Sequence, residues 1–226
     1  MIKNYVTNHK AGNPTDEDMT LINKYSLREL QKDEVFCFSV ILCDNDIDRD
    51  FECFDEDALR TLEKLFVGKT GILNHSMKSE DQSCRTYKTQ LIRDNTRQTL
   101  TGEPYMYLKA WCYTVRSDKN ESLIKDIESG IKKEVSISCA SQRKICSICN
   151  CEKCNHISGK IYGGEYCHKT IKDITDAYEW SFVAVPAQRN AGVTKSFKKE
   201  KTMEKKIPYK IYLEENEMPK AWYNVR

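Results

Sequence analysis

The segment from Cys146 to His168 constrains the fold of this chain more than any other. It sets Cys146-x-x-Cys149, Cys151, Cys154-x-His156, Cys167 and His168 in one short stretch that has no apolar run. Such a segment cannot bury enough apolar surface to order itself. Soft and borderline ligands at these spacings match a tetrahedral Zn(II) ion, whose binding would supply the missing free energy. The spacing names Cys146, Cys149, Cys154 and His156 as ligands, with Cys167 able to replace His156 and with Cys151 and His168 in reserve. Four protein ligands leave no position for a substrate, so a structural clip is expected. Eleven cysteines would suggest disulfides in a small secreted protein, but five of them crowd into this one segment, which favours metal.

Just upstream, Ile131 to Ala140 follows a helical pattern ending at Gly130 and reads as a short, half-buried strand. Period-two alternation sends Val135, Ile137 and Cys139 to one face and Glu134, Ser136 and Ser138 to the other. Two hydroxyls therefore share the side away from the core. Serines alternate with apolar residues in many half-exposed strands, so this pattern alone assigns no chemistry. One histidine stands apart from the cysteines and from the polar N-terminus: His75, at the end of the short apolar approach Gly71-Ile72-Leu73-Asn74. His9 lies in the N-terminal arm, and His156 and His168 lie among the cysteines, so acid and base work by a histidine would fall to His75.

At 226 residues and 39% hydrophobic content, the chain suits one sizeable core with appendages. Its 36 basic and 34 acidic residues nearly cancel, which argues against nucleic acid or a membrane surface as the main partner and disfavours a zinc-ribbon nucleic-acid binder. No apolar run approaches the ~20 residues that span a bilayer, and no signal peptide is apparent, so a soluble intracellular protein is expected.

Residues 1–23 are polar and broken by Asn13-Pro14, and read as a mobile arm. Val35 to Leu42 is apolar throughout, as in a strand buried on both faces. The alternating carboxylates Asp44, Asp46, Asp48, Asp50 and Glu52 invite a calcium loop, but Arg49 stands where such a loop needs glycine. A charged connection with Arg49 paired internally is the better reading. Asp55 should cap a helix carrying Ala58, Leu59, Leu62, Leu65 and Phe66, ended by Gly68. Arg85 to Ile92 and Tyr105 to Tyr113 read as strands joined by a turn-rich Asn95 to Glu103, and Asn120 to Ser129 as a second helix. Asp176 to Phe182 reads as a strand running toward Pro186, with carboxylates at its entrance. Beyond Val193 the composition turns to lysine and the core ends.

Taken in order, Asp48-Arg49-Asp50 after an apolar strand, Gly68-Lys69-Thr70-Gly71 leading to Asn74-His75-Ser76, Val135-Ser136-Ile137-Ser138, and Glu179-Trp180-Ser181-Phe182-Val183-Ala184-Val185-Pro186-Ala187 resemble the prohead (capsid-maturation) serine proteases of tailed phages, which are distantly similar to herpesvirus assemblins. The resemblance covers roughly residues 23–197. It implies an α+β fold: a small β-barrel of mostly antiparallel strands with packed helices, here carrying the cysteine-rich zinc insertion at 143–169. It implies Ser136 as nucleophile, His75 as general base and Glu179 as the orienting carboxylate, with Asp176 and Ser138 in reserve. It also implies capsid and scaffold polypeptides as substrates and partners, self-association, and work in the host bacterial cytoplasm inside an assembling procapsid. The alternative is a non-enzymatic head or scaffold component that keeps the fold and the clip. Ser138 departs from the family pattern, where a glycine often stands. The cysteine insertion resembles a zinc-clip variant in phages and prophages of low-GC Gram-positive bacteria. Residues 198–226 read as a basic linker and a tail in which Ile207-Pro208-Tyr209 and Met218-Pro219-Lys220-Ala221-Trp222 faintly resemble the opening of tryptophan synthase beta-chain-like proteins. So short a tail cannot carry that activity.

Overall fold

A computed structural model of the protein describes residues 12–194. His9, the basic linker and the tail lie outside the described residues. The chain begins with helix α1 (Asp16–Ile22), then strand β1 (Val35–Asp44), the short β2 (Glu52–Phe54), helix α2 (Glu56–Leu65) and β3 (Thr70–Leu73). The long β4 (Cys84–Gln98) and β5 (Pro104–Val115), helix α3 (Asp118–Glu128) and β6 (Val135–Cys146) follow. The small ribbon β7 (Ile161–Tyr162) and β8 (Glu165–Tyr166) precedes β9 (Lys169–Phe182) and β10 (Gly192–Val193).

Two features make β9 the axis of the sheet. Along one edge β6 pairs with it antiparallel over almost its whole length, from Val135 opposite Phe182 to Cys146 opposite Lys169. The other edge is shared by two parallel strands, β2 at Lys169 to Ile171 and β3 at Glu179 to Phe182. The remaining strands continue as β3-β4-β5-β1-β10, all antiparallel. The expected closed barrel is not what these ladders form: eight strands make a mixed, mostly antiparallel sheet, and only a single bridge, Glu134 with Gly192, links β10 to the approach of β6. Two residues at β10 are too few to pair a whole edge, which is why closure fails there.

The main core lies between the sheet and helices α2 and α3, and includes Phe36, Phe38, Val40, Leu42, Leu59, Leu62, Phe66, Leu108, Trp180 and Phe182. Helix α2 starts where expected, with the Asp55 carboxylate accepting from the Ala58 amide at 2.8 Å. Helix α3 buries Leu123, Ile124 and Ile127, as the helical period predicts. Strand β1 is buried on both faces because a second core backs it: Val35 and Cys37 meet Met19, Ile22, Leu30, Tyr87, Trp111 and Tyr113. That second core corrects the mobile-arm reading for residues 12–23, while residues 1–11 lie outside the described residues. Thr15 and Asp18 form a reciprocal capping box for α1, which buries Met19 and Ile22. A helix of only seven residues shows too little of the 3.6-residue period to be read from sequence.

Two other boundaries move, and one expected pairing changes. Strand β4 runs through Asn95 to Gln98, so the turn is only Thr99 to Glu103, closed by the Thr99 amide on the Glu103 carbonyl at 2.8 Å. Strand β6 continues past Ala140 to Cys146, straight into the cysteine segment. Among the described residues Arg49 pairs with no carboxylate; its guanidinium donates to the Pro186 carbonyl at 2.7 Å and its amide to the Ala187 carbonyl, tying the acidic loop to the segment after β9. The carboxylates find other partners, Asp46 pairing with Arg97 and Glu52 with Lys144. Asp48 accepts from the amides of Asp50 and Glu52, and buried Asp44 accepts from the Tyr105 hydroxyl and the Asn190 amide. Among the described residues no helix is long and apolar enough to cross a membrane.

Candidate active site and candidate metal centre

Directly opposed residues in an antiparallel pair point to the same face of the sheet. Ser136 stands opposite Ser181 and Ser138 opposite Glu179, so two serines of β6 share one face with a carboxylate and a hydroxyl of β9. On the reverse face Val135 and Ile137 oppose Phe182 and Trp180 and close on the main core. A bulge, where the register jumps from Ser138 with Glu179 to Cys139 with Ala177, lets Ala177 face the core although it lies two residues from Glu179.

His75 arrives from β3. Gly71 makes room for this approach: a Cβ there would sit 2.3 Å from the Trp180 ring, so only glycine lets the indole lie across the strand. The ring is held by its Nε1–H donating to Thr86 at 3.0 Å. Past Leu73, Asn74 and His75 both take left-handed backbone angles, φ +52° and +54°, which reverse the chain and lay the imidazole over the β9 face. The Asn74 amide donates to the Phe182 carbonyl at 3.0 Å, and the His75 amide to the Ser181 hydroxyl at 2.8 Å.

There the imidazole Nδ1 lies 2.7 Å from Glu179 Oε1, and the Ser181 hydroxyl donates to Glu179 Oε2 at 2.9 Å. The Glu179 side chain is 2% exposed and that of His75 is 38% exposed, so a buried carboxylate meets an imidazole that solvent or a substrate can reach. A carboxylate can only accept, so the tautomer that completes this contact carries the hydrogen on Nδ1 and leaves Nε2 with the lone pair. The sequence-predicted pair His75 and Glu179 is thus brought together. Asp176, the reserve carboxylate, is not at the imidazole; it lies 3.4 Å from the Lys69 ammonium.

The two serines differ. Ser138 Oγ lies 3.2 Å from His75 Nδ1, the nitrogen already committed to Glu179, so this contact cannot pass the hydroxyl proton to the ring. Ser136 sits about 7 Å further along the strand, half-buried beside Ser181, and its hydroxyl makes no hydrogen bond among the described residues. Cys139 is no competing nucleophile, because burial pushes its thiol up to about 11. Sequence reasoning missed Ser181. Its signal was available, since it follows Glu179 by two in a strand and so shares the carboxylate's face.

At the far end of the same hairpin, Cys146, Cys149, Cys154 and His156 bring one ligand atom each to within 4.8 Å of one another, a cluster that could hold a metal ion. The sequence-predicted set is therefore assembled. Cys146 closes β6 and is fully buried; its amide donates to the Cys151 carbonyl and its carbonyl accepts from Asn150, a tight turn that presents the pair Cys146 and Cys149 together. Cys167 is also buried, with its sulfur 3.7 Å from that of Cys146, so the reserve ligand stands beside the cluster. Cys151 is exposed and turns to the Cys149 carbonyl, and His168 turns to the Tyr166 carbonyl. Burial opposes charge on the Cys146 sulfur, yet hydrogen bonds from the Cys149 and Ile148 amides outweigh it and draw the thiol below its usual range. The Lys169 ammonium donates to Cys154 sulfur at 3.4 Å. A Cys146 sulfur drawn toward its charged form, beside two further sulfurs and an imidazole, suits a cation at their centre. Comparisons with protein-family models, with curated proteins and with solved structures each return no match.

Proposed function

We propose that this protein is a serine endopeptidase of the prohead-protease type, cleaving scaffold and capsid-interior polypeptides during phage head assembly in the bacterial cytoplasm. The observation that carries the reading is the contact of His75 Nδ1 with buried Glu179 at 2.7 Å, on the sheet face that also bears Ser136. In the mechanism, the imidazole Nε2 takes the Ser136 hydroxyl proton as Oγ attacks the scissile carbonyl. Glu179 keeps Nδ1 protonated and stabilises the imidazolium. The imidazolium then gives its proton to the leaving amine, and water repeats the sequence to release the acid. Ser138, at the edge of the ring, is the neighbour that holds the imidazole from the side rather than the attacking group.

The metal cluster is read as a structural zinc clip, since three sulfurs and an imidazole are the donor set zinc prefers and no ligand position is left for chemistry. Its place supports that role, because it closes the open end of the hairpin that carries Ser136 and Glu179. A fully closed small barrel, as in the resembling proteases, would need the seam at Glu134 and Gly192 to pair along its length, for instance on self-association.

The test is cleavage of co-expressed capsid and scaffold protein, with labelling by a serine-directed fluorophosphonate. Ser136→Ala is expected to lose about 10⁴-fold in turnover and all labelling, and Ser138→Ala far less. Full activity in Ser136→Ala with none in Ser138→Ala would transfer the nucleophile to Ser138. Neither cleavage nor labelling in the parent protein, even inside assembled particles, would leave a non-enzymatic head component.

A further inference from the structure

We infer that Ser181 is a positioning residue that fixes the base and its carboxylate relative to each other, an assignment that rests on the acyl-transfer reading above. Ser181 is fully buried, and both bonds of its hydroxyl go to the two residues of that pair. Its one hydrogen goes to Glu179 Oε2 at 2.9 Å, and its oxygen takes the His75 amide hydrogen at 2.8 Å. With Nδ1–H on Oε1, this makes a closed ring that leaves from the main chain of His75, passes through Ser181 and Glu179, and returns to the side chain of His75. A buried strand serine that merely satisfied itself would bond a neighbouring carbonyl; this one spans the functional pair.

The ring matters because of where His75 sits. It lies beyond the end of β3, in a left-handed conformation that a strand ladder does not impose, so its amide needs an acceptor outside the ladder. Ser181 is that acceptor. On the carboxylate side, Ser181 is the sole hydrogen-bond partner of Oε2 among the described residues. Without the hydroxyl, a buried carboxylate oxygen would lack a donor, and the backbone of the base would lose the tether that orients its ring. Ser181 also stands directly opposite Ser136, so one residue adjoins nucleophile, base and carboxylate. Its hydrogen never enters the reaction, which is why it is placed with the scaffold of the site.

The experiment uses the full chain with its metal. Protein labelled with ¹⁵N-histidine is examined for the low-field proton resonance of His75 Nδ1–H, assigned by its disappearance in His75→Gln, and kcat and KM are measured on the capsid-scaffold substrate. Ser181→Ala is expected to lose the resonance and to drop kcat about 10²-fold with KM changed by less than about twofold, as for a misplaced base. Because a buried site can respond to volume, Ser181→Thr and Ser181→Val are compared with each other. They have the same shape, and only the threonine should keep the resonance and most of kcat. An unaltered resonance and rate in Ser181→Ala, or Thr and Val variants that behave alike, would overturn the assignment. A parent protein whose resonance depends on Ser181 but which neither cleaves nor takes the fluorophosphonate would uphold the positioning ring and refute the protease reading. An active protease whose His75 signal ignores Ser181 would do the reverse.

Discussion

The two ends of the β6–β9 hairpin are held by different physics. At the Ser136 end, the strands are clamped from behind by Val135, Trp180 and Phe182 and in front by bonds among His75, Glu179 and Ser181. At the Cys146 end, about 33 Å away by strand rise, apolar support is thin: Ile157 and Ile161 are more than half exposed, and the buried groups are the sulfurs of Cys146 and Cys167. Burying apolar area stabilises by roughly 25 cal/mol per Å², so an end without such area needs another source of order. Soft ligands around one ion supply it. The comparison teaches that the Ser136 end takes its order from the fold's own packing, whereas, on the zinc-clip reading, the Cys146 end takes its order from an ion.

Stripping the metal is the strongest way to break that contrast. Structural zinc contributes apparent binding free energy on the order of 10 kcal/mol at neutral pH. Elemental analysis of chelator-free protein should find about one ion per chain. After stripping, hydrogen exchange should rise throughout 147–168 while Trp180 and Ser181 stay protected. Simultaneous loss of protection at both ends would mean that the hairpin is one cooperative unit. Protection in 147–168 that survives stripping would mean that the clip needs no metal.

The next contrast is chemical. Glu179→Gln should lower turnover by up to about 10⁴-fold, because the imidazole loses the partner that fixes its tautomer, and metal content should not change. Asp176→Asn weakens the partly exposed contact with Lys69 and keeps an oxygen for the Ala177 amide, so it should alter the rate by less than about twofold. A larger loss in the second variant would hand the orienting role to Asp176.

How much of this was legible beforehand follows the same division. Spacing alone named Cys146, Cys149, Cys154 and His156, because ligand geometry is local in sequence. Period two correctly placed Ser136 and Ser138 opposite the core face. The parallel docking of β2 and β3 on one edge of β9 was not legible, since no local pattern records which distant strand an edge will meet. Nor was Arg49's attachment to the Pro186 carbonyl, because a guanidinium amid carboxylates reads as an ion pair until the backbone acceptor is placed. His75 was reached by counting histidines, but the turn that aims it depends on two left-handed residues, and Asn74 was the only hint of them.

A packing change probes the reactive end without touching its chemistry. Gly71→Ala would put a methyl 2.3 Å from the Trp180 ring. Overpacking of that kind costs about 1–3 kcal/mol, and the shift of β3 should carry His75 with it. A lower urea midpoint with unchanged metal content is expected. A variant as stable and active as the parent would show that Trp180 does not set the height of β3.

The smallest effect is expected beside the clip, in the loop that delivers β2 to β9. Asp48 accepts from the amides of Asp50 and Glu52 at 2.9 and 2.8 Å, and Phe51 between them accepts the Lys169 amide and packs on Gly159 of the cysteine segment. Burial, reinforced by the charges of Asp50 and Glu52 and resisted by those two amides, pushes the Asp48 carboxyl up to about 6 from 3.8. A carboxyl raised in the folded state binds its proton more tightly there than when unfolded. Its charge is therefore a cost that is complete above pH 6, shrinks as pH falls through the interval, and is gone below about pH 4. Asp48→Asn keeps an oxygen to accept both amides and removes the charge. It should raise stability by about 1 kcal/mol at pH 7.5, with the gain fading toward pH 4, as read from urea midpoints at the two pH values. The gain should be local, slowing exchange at Lys169 to Ile171 and leaving the His75 resonance unmoved. A variant less stable than the parent at pH 7.5 would mean that the loop needs the charge itself, and that the clip end is braced by electrostatics as well as by its ion.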